Sequence, residues 1–360
     1  MAGKLDPLSL GLDAWQAQMA ALKQPVFRAK QIYAWLHARR TLDYEKMLNL
    51  PRELRHSLAD IAPIRLASVC QRVKSRDGSV KYSFLSQDNA QFEAVYLPSR
   101  HGSSLCISTQ AGCSFRCKFC ATANIGLKRN LRAGEMLQQV YHLANEHLLS
   151  SFRVLMMGMG EPLANIAEVV CALRQLQHAD GQAFSPSRIT VSTVGMRGRI
   201  ERLARDLPGV ELALSLHFTG DAARARHMPA ADKITIGEII DELSHAPALG
   251  RVTLEYVLLN AVNDSLTDAA ALVAIAHGVM PRKRETPPAV RLRQQYRGIP
   301  AWHVNLIEYN QVPGAPYRAT PQEAAETFQN YLKAAGINAT LRRSSGRDIS
   351  AACGMLAGKR

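Results

Sequence analysis

The chain has 360 residues and carries 44 lysines and arginines against 30 aspartates and glutamates, a formal net charge of +14. This length allows one large domain with a small second one, and the excess of positive charge favours a polyanionic partner such as a nucleic acid. Seven cysteines are too few for a disulfide scaffold in so long a chain, and no apolar run reaches the roughly 18 residues of a membrane span, so we expect a soluble cytoplasmic protein with reduced thiols.

Residues 1–62 are predicted to form a small helical module. Apolar residues recur at helical spacing, as in Trp15, Met19 and Phe27, and Pro25 and Pro51 separate the helices. Six basic residues of this module are candidates for contact with a phosphate backbone, although a solvated helix face explains each of them equally well. They are Arg28, Lys30, Arg39, Arg40, Arg52 and Arg55.

From about residue 65 to 110 the period of the apolar residues changes to two, which predicts strands in RLASVCQRV, VKYSFLSQ, QFEAVYLP and SLCISTQ. Asp77-Gly78 is typical of a hairpin turn. We therefore predict a β-rich connecting extension over residues 63–103. Glu93 lies between apolar neighbours on one of these strands, so its carboxylate faces either a cavity or, by the alternation, solvent.

The stretch Cys113-Ser-Phe-Arg-Cys117-Lys-Phe-Cys120 has the spacing C-x3-C-x2-C. Thiolates at this spacing converge on one soft metal centre when the loop curls back on itself. A cubane of four irons needs four ligands, so three cysteines would leave one iron open to chelation by the amine and carboxylate of S-adenosylmethionine (SAM). The alternatives are a structural zinc site or three unrelated buried thiols, and zinc loops usually show a second C-x2-C pair that is missing here.

After the cysteine loop the chain alternates strands and helices, which makes six βα repeats when SLCISTQ is counted. Such alternation predicts an α/β fold over residues 104–360, with parallel strands joined by crossover helices in an open sheet or a barrel. Chemistry is expected at the carboxyl ends of the strands. The polar and glycine residues that follow these strands are Gly160, Glu161, Ser192, Ser215, His217 and Asn310.

Residues 280–300 contain three internal prolines, six basic residues and one acid, which predicts a surface loop. Its basic residues would form a cationic strip around Tyr296, either in contact with RNA or simply mobile. They are Arg282, Lys283, Arg284, Arg291, Arg293 and Arg297.

Cys353 lies among small residues near the end of the sequence, so its backbone can approach a cavity. A lone cysteine is usually a buried, inert thiol. Cys106 precedes the cysteine loop by seven residues and is another thiol near the predicted site, so the two are candidates for an attacking and a leaving thiol.

Several long motifs stand in an order that resembles the RlmN/Cfr family of radical SAM RNA methyltransferases over nearly the whole chain. They are FRAKQIYAWLH, NLPRELR, SLCISTQAGCSFRCKFCATANIGLKRNL, VLMMGMGEPL, TVSTVG, ALSLH, RVTLEYVLL, VNLIEYN, PGAPY and LRRSSGRDISAACGML. The resemblance implies a helical RNA-binding accessory domain at residues 1–62, a partial (β/α)6 radical SAM barrel, a [4Fe-4S] cluster and two SAM molecules per turnover. It also implies a flavodoxin- or ferredoxin-type reductant and methylation of an unactivated adenine carbon in ribosomal or transfer RNA, with C2 favoured over C8 because the flanks match RlmN-like members better.

The resemblance also assigns roles to individual residues. The cluster ligands match Cys113, Cys117 and Cys120, and the SAM-binding positions match Gly160, Glu161, Ser192, Ser215, Leu216, His217 and Asn310. Cys353 matches the cysteine that one SAM methylates, Glu93 matches the base that removes the adenine ring proton, and Cys106 matches the thiol that releases the product by attacking Cys353. The chain departs from the family in its long basic segment near 281–300 and in Glu308, where proline is usual.

Two other classes of protein remain compatible with the sequence. A radical SAM enzyme acting on a small molecule or a peptide would keep the three cysteines of the loop without needing Cys353, Cys106 or so much positive charge. A non-catalytic RNA-binding protein with a structural metal predicts zinc in place of iron. A monomer is the expected oligomeric state.

Overall fold

A computed structural model of the protein describes residues 5–281 and 286–357. The α-helices of these ranges are α1 (Leu12–Ala21), α2 (Phe27–Tyr33), α3 (Arg52–Ile61), α4 (Ala133–Glu146), α5 (Ile166–Gln177), α6 (Arg199–Asp206), α7 (Asp221–His227), α8 (Ile236–Ser244), α9 (Leu266–Ala276), α10 (Ala289–Gln295) and α11 (Gln322–Ala334). The strands are β1 (Ser68–Lys74), β2 (Val80–Leu85), β3 (Gln91–Leu97), β4 (Ser103–Cys106), β5 (Gln110–Gly112), β6 (Leu127–Asn130), β7 (Phe152–Met156), β8 (Ile189–Thr193), β9 (Glu211–Ser215), β10 (Val252–Leu258), β11 (His303–Glu308) and β12 (Ala339–Arg342). None of these helices is long and apolar enough to cross a membrane.

Ten of these strands form one sheet in the order β1-β2-β3-β4-β7-β8-β9-β10-β11-β12, and β5 pairs with β6 separately. The pairs from β1 to β4 are antiparallel, and every neighbouring pair from β4 onward is parallel. Parallel neighbours need crossover connections, which the helices between them supply. The predicted α/β class with six parallel strands is confirmed, and β12 adds a seventh that the sequence pattern did not predict.

The N-terminal helices pack directly against the helices that flank the sheet. The Tyr33 hydroxyl donates to Gln175 Oε1 at 2.6 Å, and the Tyr141 hydroxyl lies 2.8 Å from the His37 ring nitrogen. The buried core runs without interruption from these helices into the sheet. The domain boundary after residue 62 therefore stays a prediction.

The apolar face predicted for this module is only partly correct. Trp15 and Met19 are fully buried, but Phe27 is 57% exposed. Part of the module's positive charge is also engaged within the protein, since Arg40 donates to a backbone carbonyl and Lys30 pairs with Asp180 at 2.7 Å. A phosphate contact would have to share these two side chains with their internal partners.

Part of the segment predicted as a surface loop is helical, because α10 lies within it. Tyr296 is buried and stacks on His277 with ring centroids 4.6 Å apart. The tyrosine in the middle of the predicted cationic strip is therefore part of the packed interior, and the strip itself stays a prediction. Arg282, Lys283 and Arg284 of the predicted strip lie outside the described residues.

Candidate active site

A cavity lies at the carboxyl ends of the parallel strands, as expected for this class of sheet. Its lining includes most of the residues that the sequence marked. These are Cys113, Cys117, Cys120, Gly160, Glu161, Ser192, Ser215, His217, Asn310 and Cys353. Leu216 is fully buried and does not belong to the lining. We refer to this space as the first cavity.

The cysteine loop forms one wall of the first cavity. Its turn depends on Gly112, where φ is +84° and an added Cβ would lie 1.8 Å from the Gly126 carbonyl oxygen. Burial raises the pKa of Cys113 to about 12 and raises that of Cys117 well above its usual value. A bound metal centre would lower these pKa values, because it stabilises the thiolate form of its ligands.

The chemistry of these donors agrees with an iron–sulfur cluster. Cys113, Cys117 and Cys120 all line the first cavity, and the thiolates that hold a cubane each bind a different iron. Three thiols beside one cavity are therefore a donor set that fits this group.

The turn after β7 forms the neighbouring wall. Glu161 is buried, and its carboxylate accepts hydrogen bonds from the backbone amides of Leu163 and Val194, each at 2.9 Å. Burial raises the pKa of Glu161 to about 7, so an ammonium group of a ligand would favour its charged form. Gly160 has a φ of +101°, and a Cβ there would lie 2.5 Å from Gln110 Cβ. Glycine is therefore needed for this close approach.

A Gly160→Ala variant tests that requirement. We expect its free energy of unfolding to fall by about 1–3 kcal/mol, because the positive φ and the contact with Gln110 both disfavour a Cβ. Gly220→Ala is the matched control, since a Cβ at Gly220 meets nothing within 4 Å. Thermal unfolding of both variants measures the difference, and equal shifts would contradict the steric argument.

The ends of β8 and β9 supply polar groups to the opposite wall. Ser192 Oγ and Ser215 Oγ lie 3.3 Å apart. His217 has a φ of +57°, and its Nδ1 accepts from the Val257 amide at 3.1 Å. Burial lowers the pKa of His217 to about 3, so the ring is neutral, with its proton on Nε2. This side chain therefore offers a hydrogen-bond donor at the cavity wall.

One charged residue of the first cavity, Glu255, was missed by the sequence analysis. Glu255 is buried within β10, and its Oε1 accepts from Asn305 Nδ2 at 2.9 Å. Its Oε2 is buried without a hydrogen bond and lies 3.9 Å from Arg342 Nη1, and Asn310 Oδ1 is likewise buried and unpartnered. Buried acceptors without donors fit a ligand that carries hydroxyl or amino groups. The segment RVTLEYVLL did not mark Glu255 as a site residue, because a single acidic residue in an apolar strand does not show towards which face of the sheet its side chain points.

A second cavity adjoins the first and contains the two remaining thiols of interest. Cys106, at the end of β4, and Cys353 both line it, and Cys353, Met157 and Arg342 line both cavities. Burial raises the pKa of Cys106 to about 12. The structure thus places Cys353 at the boundary between the cysteine loop and Cys106.

Residues 344–357 form the segment that carries Cys353, which we call the strap. The Cys353 carbonyl accepts from Asn310 Nδ2 at 3.2 Å, and the same amide group donates to Ser344 Oγ at 2.9 Å. The Gly354 carbonyl accepts from the Ala121 amide at 2.7 Å. The strap is thereby attached to the residue that follows the cysteine loop and to a residue of the first cavity.

Glu93 is fully buried, so the solvent-facing alternative is wrong. It lines neither cavity, because the strap covers it. Lys81 Nζ lies 3.4 Å from Glu93 Oε1, Ser83 Oγ donates to the same oxygen at 3.1 Å, and the Ala357 amide donates to Oε2 at 3.1 Å. The preceding strap residue, Leu356, lines the second cavity, so the strap end contacts both the carboxylate and that space.

Comparison with known protein families matches two stretches of the chain. Residues 8–64 match the model of the ribosomal RNA large subunit methyltransferase N-terminal domain, and residues 107–273 match the radical SAM superfamily. The chain is 40% identical to the probable dual-specificity RNA methyltransferase RlmN of Thermus thermophilus, with 92% of this chain and 89% of that protein covered. It is 38% identical to the dual-specificity RNA methyltransferase RlmN of Anaeromyxobacter sp., with coverage of 98% and 90%. The crystal structure of a radical SAM methyltransferase from Sphaerobacter thermophilus matches with a TM-score of 0.87 at 36% identity, covering 99% of this chain and 100% of that one. The chain therefore belongs to the RlmN family of radical SAM RNA methyltransferases.

Proposed function

We propose that the protein methylates C2 of adenine in ribosomal and transfer RNA through a methyl group carried on Cys353. The observation that supports this most is the place of Cys353, which lines one cavity with the three cysteines of the loop and another with Cys106. The relatives named above are dual-specificity RNA methyltransferases, which supports both kinds of RNA as substrates. The net charge of +14 agrees with such a partner.

The residues of the first cavity hold the two cofactors in this proposal. The cluster ligands are Cys113, Cys117 and Cys120, and the SAM-binding residues are Gly160, Glu161, Ser192, Ser215, Leu216, His217 and Asn310. Glu161 binds the ammonium group of SAM, and Leu216 contributes its backbone. Bound there, the [4Fe-4S] cluster and two SAM molecules per turnover supply a methyl group and a 5′-deoxyadenosyl radical.

Radical chemistry is needed because C2 of adenine is neither nucleophilic nor usefully acidic. The Cys353 thiolate accepts a methyl group by displacement, and loss of one hydrogen atom from that methyl group leaves a carbon radical on the side chain. This radical forms a bond to C2. The adduct then loses one electron, which the oxidised [4Fe-4S] cluster would accept, and its ring proton, which Glu93 accepts. The Cys106 thiolate attacks the Cys353 sulfur, and the electron pair of the broken carbon–sulfur bond takes up a proton to complete the new methyl group.

The release step leaves a disulfide between Cys106 and Cys353, so each turnover needs an external reductant for the disulfide. A flavodoxin- or ferredoxin-type protein supplies electrons to the cluster in this proposal. Such chemistry requires reduced thiols, which supports a cytoplasmic location. We further propose that the protein acts as a monomer and that residues 1–62 form its RNA-binding accessory domain.

Mass-spectrometric mapping of methyladenosine in host RNA tests this function. A host without the gene is complemented with the wild type, with Cys353→Ala or with Cys171→Ala, the matched control. Cys171 is partly buried on α5 and lines neither cavity. We expect 2-methyladenosine with the wild type and with Cys171→Ala, and none with Cys353→Ala. Methylation by Cys353→Ala would instead favour a radical SAM enzyme that needs no carrier thiol.

A further inference from the structure

We propose that Lys81 is a positioning residue that fixes Glu93 for proton removal and couples it to the strap. This inference rests on the proposed function of Glu93 as the base. Lys81 is 5% exposed and Glu93 is 0% exposed, and their charged groups lie 3.4 Å apart. The same ammonium group donates to the Ser350 carbonyl at 3.3 Å, three residues before Cys353. One buried cation thus contacts both the base and the segment that carries the methyl group.

The two oxygens of Glu93 are held by different parts of the protein. Oε1 contacts Lys81 and Ser83, which both belong to β2 and are fixed by its pairing with β3. Oε2 accepts from the Ala357 amide at the end of the strap. Withdrawal of that amide would free Oε2 while Oε1 stays fixed, so Oε2 is the oxygen that accepts the ring proton. Moving two charged groups out of water costs free energy that their mutual attraction does not always offset. We therefore attribute the presence of Lys81 to its alignment of Glu93.

The hairpin between β1 and β2 holds the strap independently of Lys81. The Gly346 amide donates to Asp77 Oδ2 at 2.8 Å. Asp348 accepts from Ser75 Oγ at 2.5 Å and from the Arg76 amide at 3.2 Å. These contacts keep the strap attached when Lys81 is replaced. A Lys81 variant therefore changes the alignment of Glu93 and the nearby end of the strap more than the fold.

The test compares Lys81→Met, Lys81→Arg and Lys74→Met in the cluster-loaded enzyme. Lys74 is an exposed lysine of the same hairpin and serves as the matched control. In single turnover with excess RNA, the ratio of 5′-deoxyadenosine released to methyladenosine formed reports how often radical formation leads to product. We expect Lys81→Met to raise this ratio about tenfold. This effect is smaller than the roughly 10²–10⁴-fold rate enhancement that a general base contributes, because Glu93 itself is still present. Lys81→Arg should restore most of the coupling, and Lys74→Met should match the wild type.

Two further measurements distinguish a misaligned Glu93 from a damaged fold and from a failure of the proposed function. Hydrogen exchange without RNA should be faster at residues 350–357 in Lys81→Met and unchanged elsewhere. Intact-protein mass spectrometry should show S-methylated Cys353 in all three variants. A wild-type ratio in Lys81→Met, or a defect that Lys81→Arg does not reduce, would overturn the inference. Absence of S-methylated Cys353 from the wild type would instead overturn the proposed function.

Discussion

Cys106→Ala protein is expected to be isolated with RNA covalently attached. In the proposed reaction the intermediate joins Cys353 to adenine through a methylene group, and Cys106 releases it. Without Cys106, the only other cysteine that lines the second cavity besides Cys353 itself is Cys120, a proposed cluster ligand. Most of the purified protein should therefore carry an RNA adduct that ribonuclease shortens to the attached nucleotide, visible as a shift in gel mobility and in intact mass.

Two variants control this experiment. Cys70→Ala removes an exposed cysteine on β1 and should be isolated free of RNA. The double variant Cys106→Ala/Cys353→Ala should also lack the adduct, because the attachment point is gone. Purified Cys106→Ala protein without any nuclease-sensitive adduct would refute the resolving role of Cys106.

Cys117→Ser should remove the iron–sulfur cluster and with it all RNA methylation. A serine hydroxyl is a poor ligand for a soft iron–sulfur centre, and its buried position gives no help in losing the proton. Anaerobically prepared wild-type protein should contain roughly four irons and four sulfides per chain with a visible charge-transfer band. The Cys117→Ser protein should contain almost none of these.

Cys171→Ser is the matched control for this prediction and should keep its iron and its visible absorption. Thermal unfolding of both variants without the cluster shows whether the loss of iron results from the missing ligand or from a damaged fold. Zinc in place of iron in the anaerobic wild type would contradict the cluster and support a structural metal site.

The positions of the cavity residues were predictable because they follow from the strands. Parallel strands end at one edge of a sheet, so Glu161, Ser192 and Ser215 were expected to meet there, and all three line the first cavity. The cysteine loop was equally predictable from the sequence, since the spacing of its cysteines is a local property of the chain.

Features that depend on distant contacts were not predictable. The environment of Glu93 is set by Ala357, which lies 264 positions away. Strand β12 did carry a local signal, since Ile337, Ala339 and Leu341 alternate with polar residues, although the strand is only four residues long. Helix α10 follows two prolines and is rich in arginine, a composition that also suits a loop, and only packing distinguishes the two.

Glu308 is the departure from the family that lines the first cavity. It ends β11, lines the first cavity and pairs with Arg347 of the strap. A proline at this position has no charge to offer Arg347. The pair is partly exposed, so its contribution to stability is about 0–1 kcal/mol, and its main effect is on where the strap lies.

The strap binds groups from the first third of the polypeptide, namely Asp77, Lys81 and Glu93, although it belongs to the last. During translation the cysteine loop leaves the ribosome more than 200 residues ahead of Cys353. A nascent chain that stalls between these two points would hold the three thiols of the loop without the thiol that we propose as the methyl acceptor. The proposed reaction therefore has to wait until the strap has been synthesised and has bound the hairpin and Glu93.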